Sequence, residues 1–292
     1  MSSSEGSGEP GYYNEALEVG QAERLVLRFP RGELLVLPGE GDKIVLELQL
    51  RGPGERLGLW RPSVRRREGI IVVADESLDG VMVFEARVSV PASFRDVEAH
   101  TASGSLEFRG IAADLLAATD SGDIRVVGGA AVELSSAAGR VDVEGAAGVN
   151  ARAGSGEVRC RDITGPVVAE TESGDILVEA ATGNVVVLSA SGDISIQRPG
   201  GRLRVATSSG DVELEIVGRF AGGEVSTSTG DVSLALAGSE LELRAETLSG
   251  ELDAPGGEVS VTSGPRRCAL RLGAGGRRLH VRSVSGDIEI EV

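Results

Sequence analysis

The chain has 292 residues, with 45 acidic against 29 basic side chains, a formal charge of −16 and only 3% aromatic residues. That charge argues against nucleic acid or anionic lipid as the main partner. So few rings fit a thin core of Val, Ile, Leu and Ala.

Residues 1–22 are rich in Ser, Gly and Glu and are expected to form a disordered tail. They lack the basic start and apolar run of a signal peptide, and no later stretch is long enough to span a membrane. The chain as given is therefore expected to be cytoplasmic. From residue 23 to 91 short apolar alternations recur at Leu25, Leu27 and Phe29, at Ile44, Leu46 and Leu48, and at Phe84, Ala86 and Val88. These predict irregular strands that start or cap the more regular remainder of the chain. Arg61, Arg65, Arg66 and Arg67 form a basic cluster between two of them, expected to be a solvated loop rather than an anion site.

Residues 92–292 carry a repeat. A Ser-Gly-Asp-Ile phrase, more or less worn, places glycine at 104, 122, 139, 156, 174, 192, 210, 230, 250 and 286. Most of these lie about 18 residues apart, and a fixed period of that size means stacked coils. Two and four residues after each glycine the chain is apolar, as at Ile176 and Val178 or Ile194 and Ile196. Seven and five residues before it the same holds, as at Val167 and Ala169 or Val185 and Val187. Thr or Ser sits three residues before it, as at Thr171 and Ser189, except for Ala153 before Gly156. Each coil thus holds two half-buried strands and two Gly-rich corners. The expected fold is all-β: a parallel β-solenoid of two main sheets, with coils of about 18 residues. The gap of 36 before Gly286 is read as one degenerate coil, with Val259, Val261 and Ser263 before Arg266, and Cys268 and Leu270 after it. That makes eleven coils.

One residue after the glycine stands the sharpest candidate for chemistry. Glu157, Asp175, Asp193, Asp211, Asp231 and Glu251 put a carboxylate there in six successive coils. Coils stack ~4.8 Å apart, so neighbouring charges would repel by about 1 kcal/mol in water and several times that near a protein surface. Backbone N–H bonds within each corner are the expected offset; the alternative is a ladder for a hard cation such as Ca²⁺. The calcium-binding nonapeptide spacing is not matched. Cys160 and Cys268 fall in inward columns too far apart to bond and read as buried filler. His100 and His280 face outward many coils apart, so no Ser-His-Asp set or metal triad can be built on them.

The run Val88–Gly110, VSVPASFRDVEAHTASGSLEFRG, followed by the Ser-Gly-Asp-Ile coils, resembles the "putative adhesin" family of bacterial β-strand-repeat proteins. The resemblance covers roughly Leu25 to Val292. It implies the solenoid fold, transfers no catalytic residues, and would allow association with the cell envelope.

The resulting expectation is a non-enzymatic, adhesin-like interaction or scaffold module with a protein or glycan partner. A carbohydrate lyase or hydrolase using the acidic column is the competing class. A weak homodimer is also expected. The chain stops at Val292, so its last strand would leave the stack uncapped for a second copy.

Overall fold

The computed structural model describes residues 9–76, 80–218, 220–238, 240–255, 258–261, 266–273 and 276–292. They divide into two compact units, residues 1–136 and 137–292. Apart from one short helix, α1 (Gly54–Leu57), the regular structure among the described residues is strand.

The first unit contains β1 (Glu9–Glu18), β2 (Arg24–Arg28), β3 (Glu33–Gly39), β4 (Lys43–Gly52), β5 (Ser63–Arg67), β6 (Ile70–Ala74), β7 (Met82–Pro91), β8 (Asp96–Ser103), β9 (Leu106–Arg109), β10 (Asp114–Ser121) and β11 (Ile124–Val127). They form two sheets, ordered β1-β4-β7-β3-β9-β11 and β5-β6-β2-β8-β10. Parallel pairing holds from β7 and β6 onward, while β4 on β7, β1 on β4 and β5 on β6 are antiparallel. The parallel stack thus ends in antiparallel hairpins. Residues 9–18, expected within a disordered tail, instead form β1, paired along its whole length with β4. Residues 1–8 lie outside the described residues.

A coil absent from the sequence reading lies in this unit. β2 and β3 stack on β8 and β9 with Leu25 on Val97, Leu27 on Ala99, Leu34 on Leu106 and Val36 on Phe108. Gly32 occupies the glycine slot, and Leu25, Leu27, Phe29, Leu34 and Val36 fill the five inward columns, all buried. The coil escaped notice because 72 residues separate Gly32 from Gly104. The chain makes its first coil, leaves to build β4 to β7, then returns to stack on the coil's free side. Trp60 and Asp75 are buried beside this excursion, the indole N–H donating to Asp75 Oδ1 at 3.2 Å.

After β12 (Ala131–Ala138), which spans the division, the second unit runs through β13 (Val141–Glu144), β14 (Gly148–Ala153), β15 (Val158–Arg161), β16 (Val167–Ser173), β17 (Ile176–Glu179), β18 (Val185–Ser191), β19 (Ile194–Gln197), β20 (Leu203–Ser209), β21 (Val212–Glu215), β22 (Gly223–Thr229) and β23 (Val232–Ala235). Each successive coil pairs in parallel with the one before, at the predicted register: Val167 on Val185, Val185 on Leu203, Ile176 on Ile194, Ile194 on Val212. The inward columns are buried as predicted, including the hydroxyl column of Thr171, Ser189, Thr207 and Thr227.

The end of the chain departs from the prediction. β24 (Leu241–Ser249), β25 (Leu252–Asp253), β26 (Glu258–Val261), β27 (Arg266–Leu272), β28 (Arg278–Ser285) and β29 (Ile288–Glu291) complete the order. The last coil, β28 and β29, stacks directly on β22 and β23, and the earlier coil of β24 and β25 stacks on its far side. The stretch read as a degenerate coil is an antiparallel hairpin. β26 pairs antiparallel with β27, and β27 antiparallel with β24; Ser263 lies outside the described residues. Cys268 and Leu270 are buried, but against β24 rather than in a parallel coil. Eleven coils remain, with that of Gly32 replacing that of Arg266. The premise of the C-terminal dimer falls with this order. Ile288 and Ile290 lie inside the stack, at 1% and 0% exposure, and the terminal strand is no open end.

Glycine is needed in this column because backbones touch, and at several positions, such as Gly192 at φ 139° and Gly230 at φ 136°, also because of φ. A Cβ built on Gly174 would sit 2.2 Å from the Gly156 carbonyl oxygen, and one on Gly192 2.2 Å from that of Gly174. The column is a ladder of glycines resting on one another. At the opposite corner the left-handed position needs no glycine, and Asp162, Ala180 and Arg198 hold φ of 54°, 57° and 53° there.

Candidate functional site

The acidic column is assembled as predicted, but its carboxylates look along the stack instead of into their own corners. Asp175 Oδ1 accepts the backbone N–H of Asp193 at 2.9 Å, Asp193 that of Asp211 at 2.9 Å, and Asp211 that of Asp231 at 2.8 Å. The rearranged last coil then enters the ladder. Asp231 accepts from Asp287 N at 2.8 Å, and Asp287 from Glu251 N at 2.6 Å. Each charge therefore ties one coil to the next, and each bond to an ionised acceptor offsets part of the repulsion between neighbours. Glu157 stands apart. It is held by Arg140 Nε at 3.2 Å and Arg159 Nε at 2.5 Å. Among the described residues, no group of three or more His, Cys, Asp or Glu side chains is placed to hold a metal ion.

The other predicted candidates are scattered. Cys160 and Cys268 are free and buried, and burial pushes the Cys160 thiol up to about 12, so it stays protonated and unreactive at neutral pH. His100 Nε2 lies 2.6 Å from Glu98 Oε1. The early arginine cluster is divided. Arg61 lies over the Tyr13 ring, 5.3 Å from its centroid, whereas Arg65, Arg66 and Arg67 belong to edge strand β5, with Arg65 paired to Glu76. Charges on an edge strand discourage further pairing.

What sequence reasoning missed is the way charge divides in the second unit. From the coil of Gly210 onward, the outer face of the sheet holding β21, β23, β29 and β25 carries Asp211, Glu213, Glu215, Asp231, Glu251, Asp253, Asp287, Glu289 and Glu291. No Arg or Lys accompanies these nine carboxylates on the three strand columns concerned. The outer face of the opposite sheet, from β20 to β27, carries arginines 202, 204, 244, 267, 271, 277, 278 and 282 in and beside its strands. Glu224, Glu240, Glu242 and Glu246 oppose these eight among the described residues. Arg278 Nε is 3.3 Å from Glu242, and Arg267 Nη2 is 2.9 Å from Glu246. A thin apolar core separates the two faces, packed sheets standing about 10 Å apart. The signal was in the sequence as alternating outward columns, but the net charge of −16 masked it.

On the arginine face a hollow of about 650 Å³ opens between β20 and β28, over Ala221, Gly222 and Gly223. Arg202 and Arg204 stand on one side and Arg277 and Arg278 on the other, with Glu224 between them on the middle strand and Asn184 and Val186 also lining the hollow.

Fold and site together define a two-sheet parallel β-solenoid whose C-terminal coils carry opposite charge on their two outer faces. The chain belongs to the Toastrack DUF4097 family, whose pattern matches residues 63–198 and again residues 179–291. No curated protein matches it. Among solved structures it is similar to a "putative cell adhesion protein" from Clostridium sporogenes, at 14% identity and TM-score 0.25, over 97% of this chain and 99% of that one. A "putative adhesin" from Parabacteroides distasonis aligns at 11% identity and TM-score 0.36, over 97% and 98% of the two chains. A "putative lipid binding protein" from Parabacteroides distasonis aligns at 10% identity and TM-score 0.41, over 96% and 98%. Among the described residues, no helix is long and apolar enough to cross a membrane.

Proposed function

We propose that this chain is a non-enzymatic, adhesin-like interaction module that engages its partners through the outer faces of its coils. The division of charge across the second unit carries the reading: eight arginines on one face against nine carboxylates on the other. Such surfaces steer and select charged partners more than they add affinity. A lyase or hydrolase would need free, clustered carboxylates to act as acid and base. In the acidic column four of the six predicted carboxylates are instead acceptors for the neighbouring coil's backbone, and Glu157 is held by two arginines.

The test is retention of the intact chain on dextran sulfate and on polylysine surfaces, alongside assays for new reducing ends and unsaturated uronates on a polysaccharide panel. Arg244→Glu with Arg282→Glu should abolish retention on dextran sulfate and spare retention on polylysine, and no polysaccharide should be cleaved. Turnover of any substrate, or retention indifferent to charge reversal, overturns the reading.

A further inference from the structure

The hollow on the arginine face is where a specific ligand fits. Ion pairs occupy Arg267, Arg278 and Arg282, and Arg271 also has a partner. The guanidinium groups of Arg202, Arg204, Arg244 and Arg277 form no ion pair among the described residues, although Glu224 stands across the sheet from Arg204 and lines the same hollow. Three of those four, Arg202, Arg204 and Arg277, line the one hollow.

Its floor is low for a structural reason. In the outward row that begins each strand, Gly222 separates Arg202 from Arg278, so a side chain is missing between two arginines on strands roughly 10 Å apart. A Cβ on Gly222 would meet the Arg278 carbonyl oxygen at 2.6 Å, and one on Gly223 the Leu203 carbonyl oxygen at 2.3 Å. Gly223 is also the one glycine in an inward column that is otherwise Val or Leu. This coil is 20 residues long where its neighbour is 18, and it buries Phe220 at 2% exposure near that position. The longer coil thus supplies core volume from its corner and leaves the outer surface open.

We propose that this hollow binds an acidic saccharide, with uronate carboxylates seated between Arg202, Arg204 and Arg277. This rests on the interaction-module reading and names its ligand class. Guanidinium forks match planar carboxylates in bidentate geometry. Asn184 keeps its amide N–H groups for sugar hydroxyls while its Oδ1 accepts from Arg202 N at 3.0 Å. Val186 and Ala221 offer apolar surface to the C–H face of a ring. The volume suits a ligand of a few rings rather than a lone ion. No aromatic residue lines the hollow, so the stacking platform that nucleic-acid bases use is missing.

Calorimetric titration of the full chain decides it, with trigalacturonate, maltotriose, inorganic phosphate and phosphatidylglycerol vesicles as separate probes. Trigalacturonate should bind, more weakly as salt rises, and maltotriose should not. Arg202→Ala and Arg277→Ala should each weaken binding about tenfold with unchanged melting temperatures. Arg198→Ala, whose side chain pairs with Glu179 on the other sheet, should leave binding intact. The proposal is overturned by absence of trigalacturonate binding, by equal binding of maltotriose, by an unchanged isotherm in the Arg202→Ala/Arg277→Ala double variant, or by binding of phosphate or vesicles alone. Such a failure leaves the retention experiment on dextran sulfate untouched, so the two readings fall separately.

Discussion

Gly174→Ala tests the claim that stacked backbones by themselves demand glycine in the ladder, at a position whose φ, unlike that of Gly192 or Gly210, lies outside the left-handed range. The new Cβ would lie 2.2 Å from the Gly156 carbonyl oxygen and 2.8 Å from its carbon. Reaching a tolerable 3.0 Å requires the two coils to part by about 0.8 Å there. The bonds bridging them, Ser173 N to Gly154 O and Val158 N to Asp175 O, are both 2.9 Å. Parting stretches them beyond useful hydrogen-bonding distance. At about 1 kcal/mol net for each bond, plus strain in the packed columns, the cost is ~2–4 kcal/mol. Two controls isolate the cause. Gly145 has φ of +70° with nothing within 4 Å of its would-be Cβ, so Gly145→Ala should cost only the left-handed penalty of ~1–2 kcal/mol. Ala180, at φ 57°, should gain a few tenths to about 1 kcal/mol on change to glycine. Thermal melts would rank the three, and hydrogen exchange would locate the loosening around residues 154–176. If Gly174→Ala melts no lower than Gly145→Ala, the close-approach argument is wrong.

The carboxylate ladder predicts that Asp193→Asn, which keeps an acceptor for Asp211 N, changes the melt little, while Asp193→Ala costs ~1 kcal/mol or more. Millimolar Ca²⁺ should shift neither melt beyond what equal ionic strength does; a Ca²⁺-specific rise lost in Asp193→Ala would revive the cation reading. Deleting residues 278–292 removes a coil from within the stack, so residues 241–272 should lose their docking surface and become protease-sensitive. Cleavage confined to the new C-terminus would contradict the strand order. Burial raises the Asp75 carboxyl above its ordinary value, against the Trp60 and Val83 hydrogen bonds that lower it. Its contribution is then fully present below the unfolded value near 3.8 and lost as pH rises through the folded one. Asp75→Asn, which can still accept from the indole, should therefore raise the melting temperature at pH 7, with the gain shrinking toward pH 3.5. A gain that grows toward acid would refute that sign.

Much of this protein was determined by its sequence alone. Period-2 alternation on either side of a recurring glycine places Val167, Ala169, Ile176 and Val178 inward, and slipping the register by one residue would turn every one of them to water. The coil, its two sheets and its acidic column were legible for that reason. The order of coils along the stack was not. The coils of Gly286 and Gly250 carry the same pattern of inward columns, so the local pattern does not say which of them docks on β22 and β23. The Gly32 coil could be recognised only by matching columns across an excursion of some sixty residues. Local pattern fixes which face a residue takes, whereas which equivalent coil becomes the neighbour is a long-range choice. In this structure the coil of β24 carries the antiparallel β26–β27 hairpin on its edge, while the later coil lies inside the stack. It was this choice that set Arg202 and Arg204 across a glycine floor from Arg277 and Arg278, residues more than seventy positions apart in the chain.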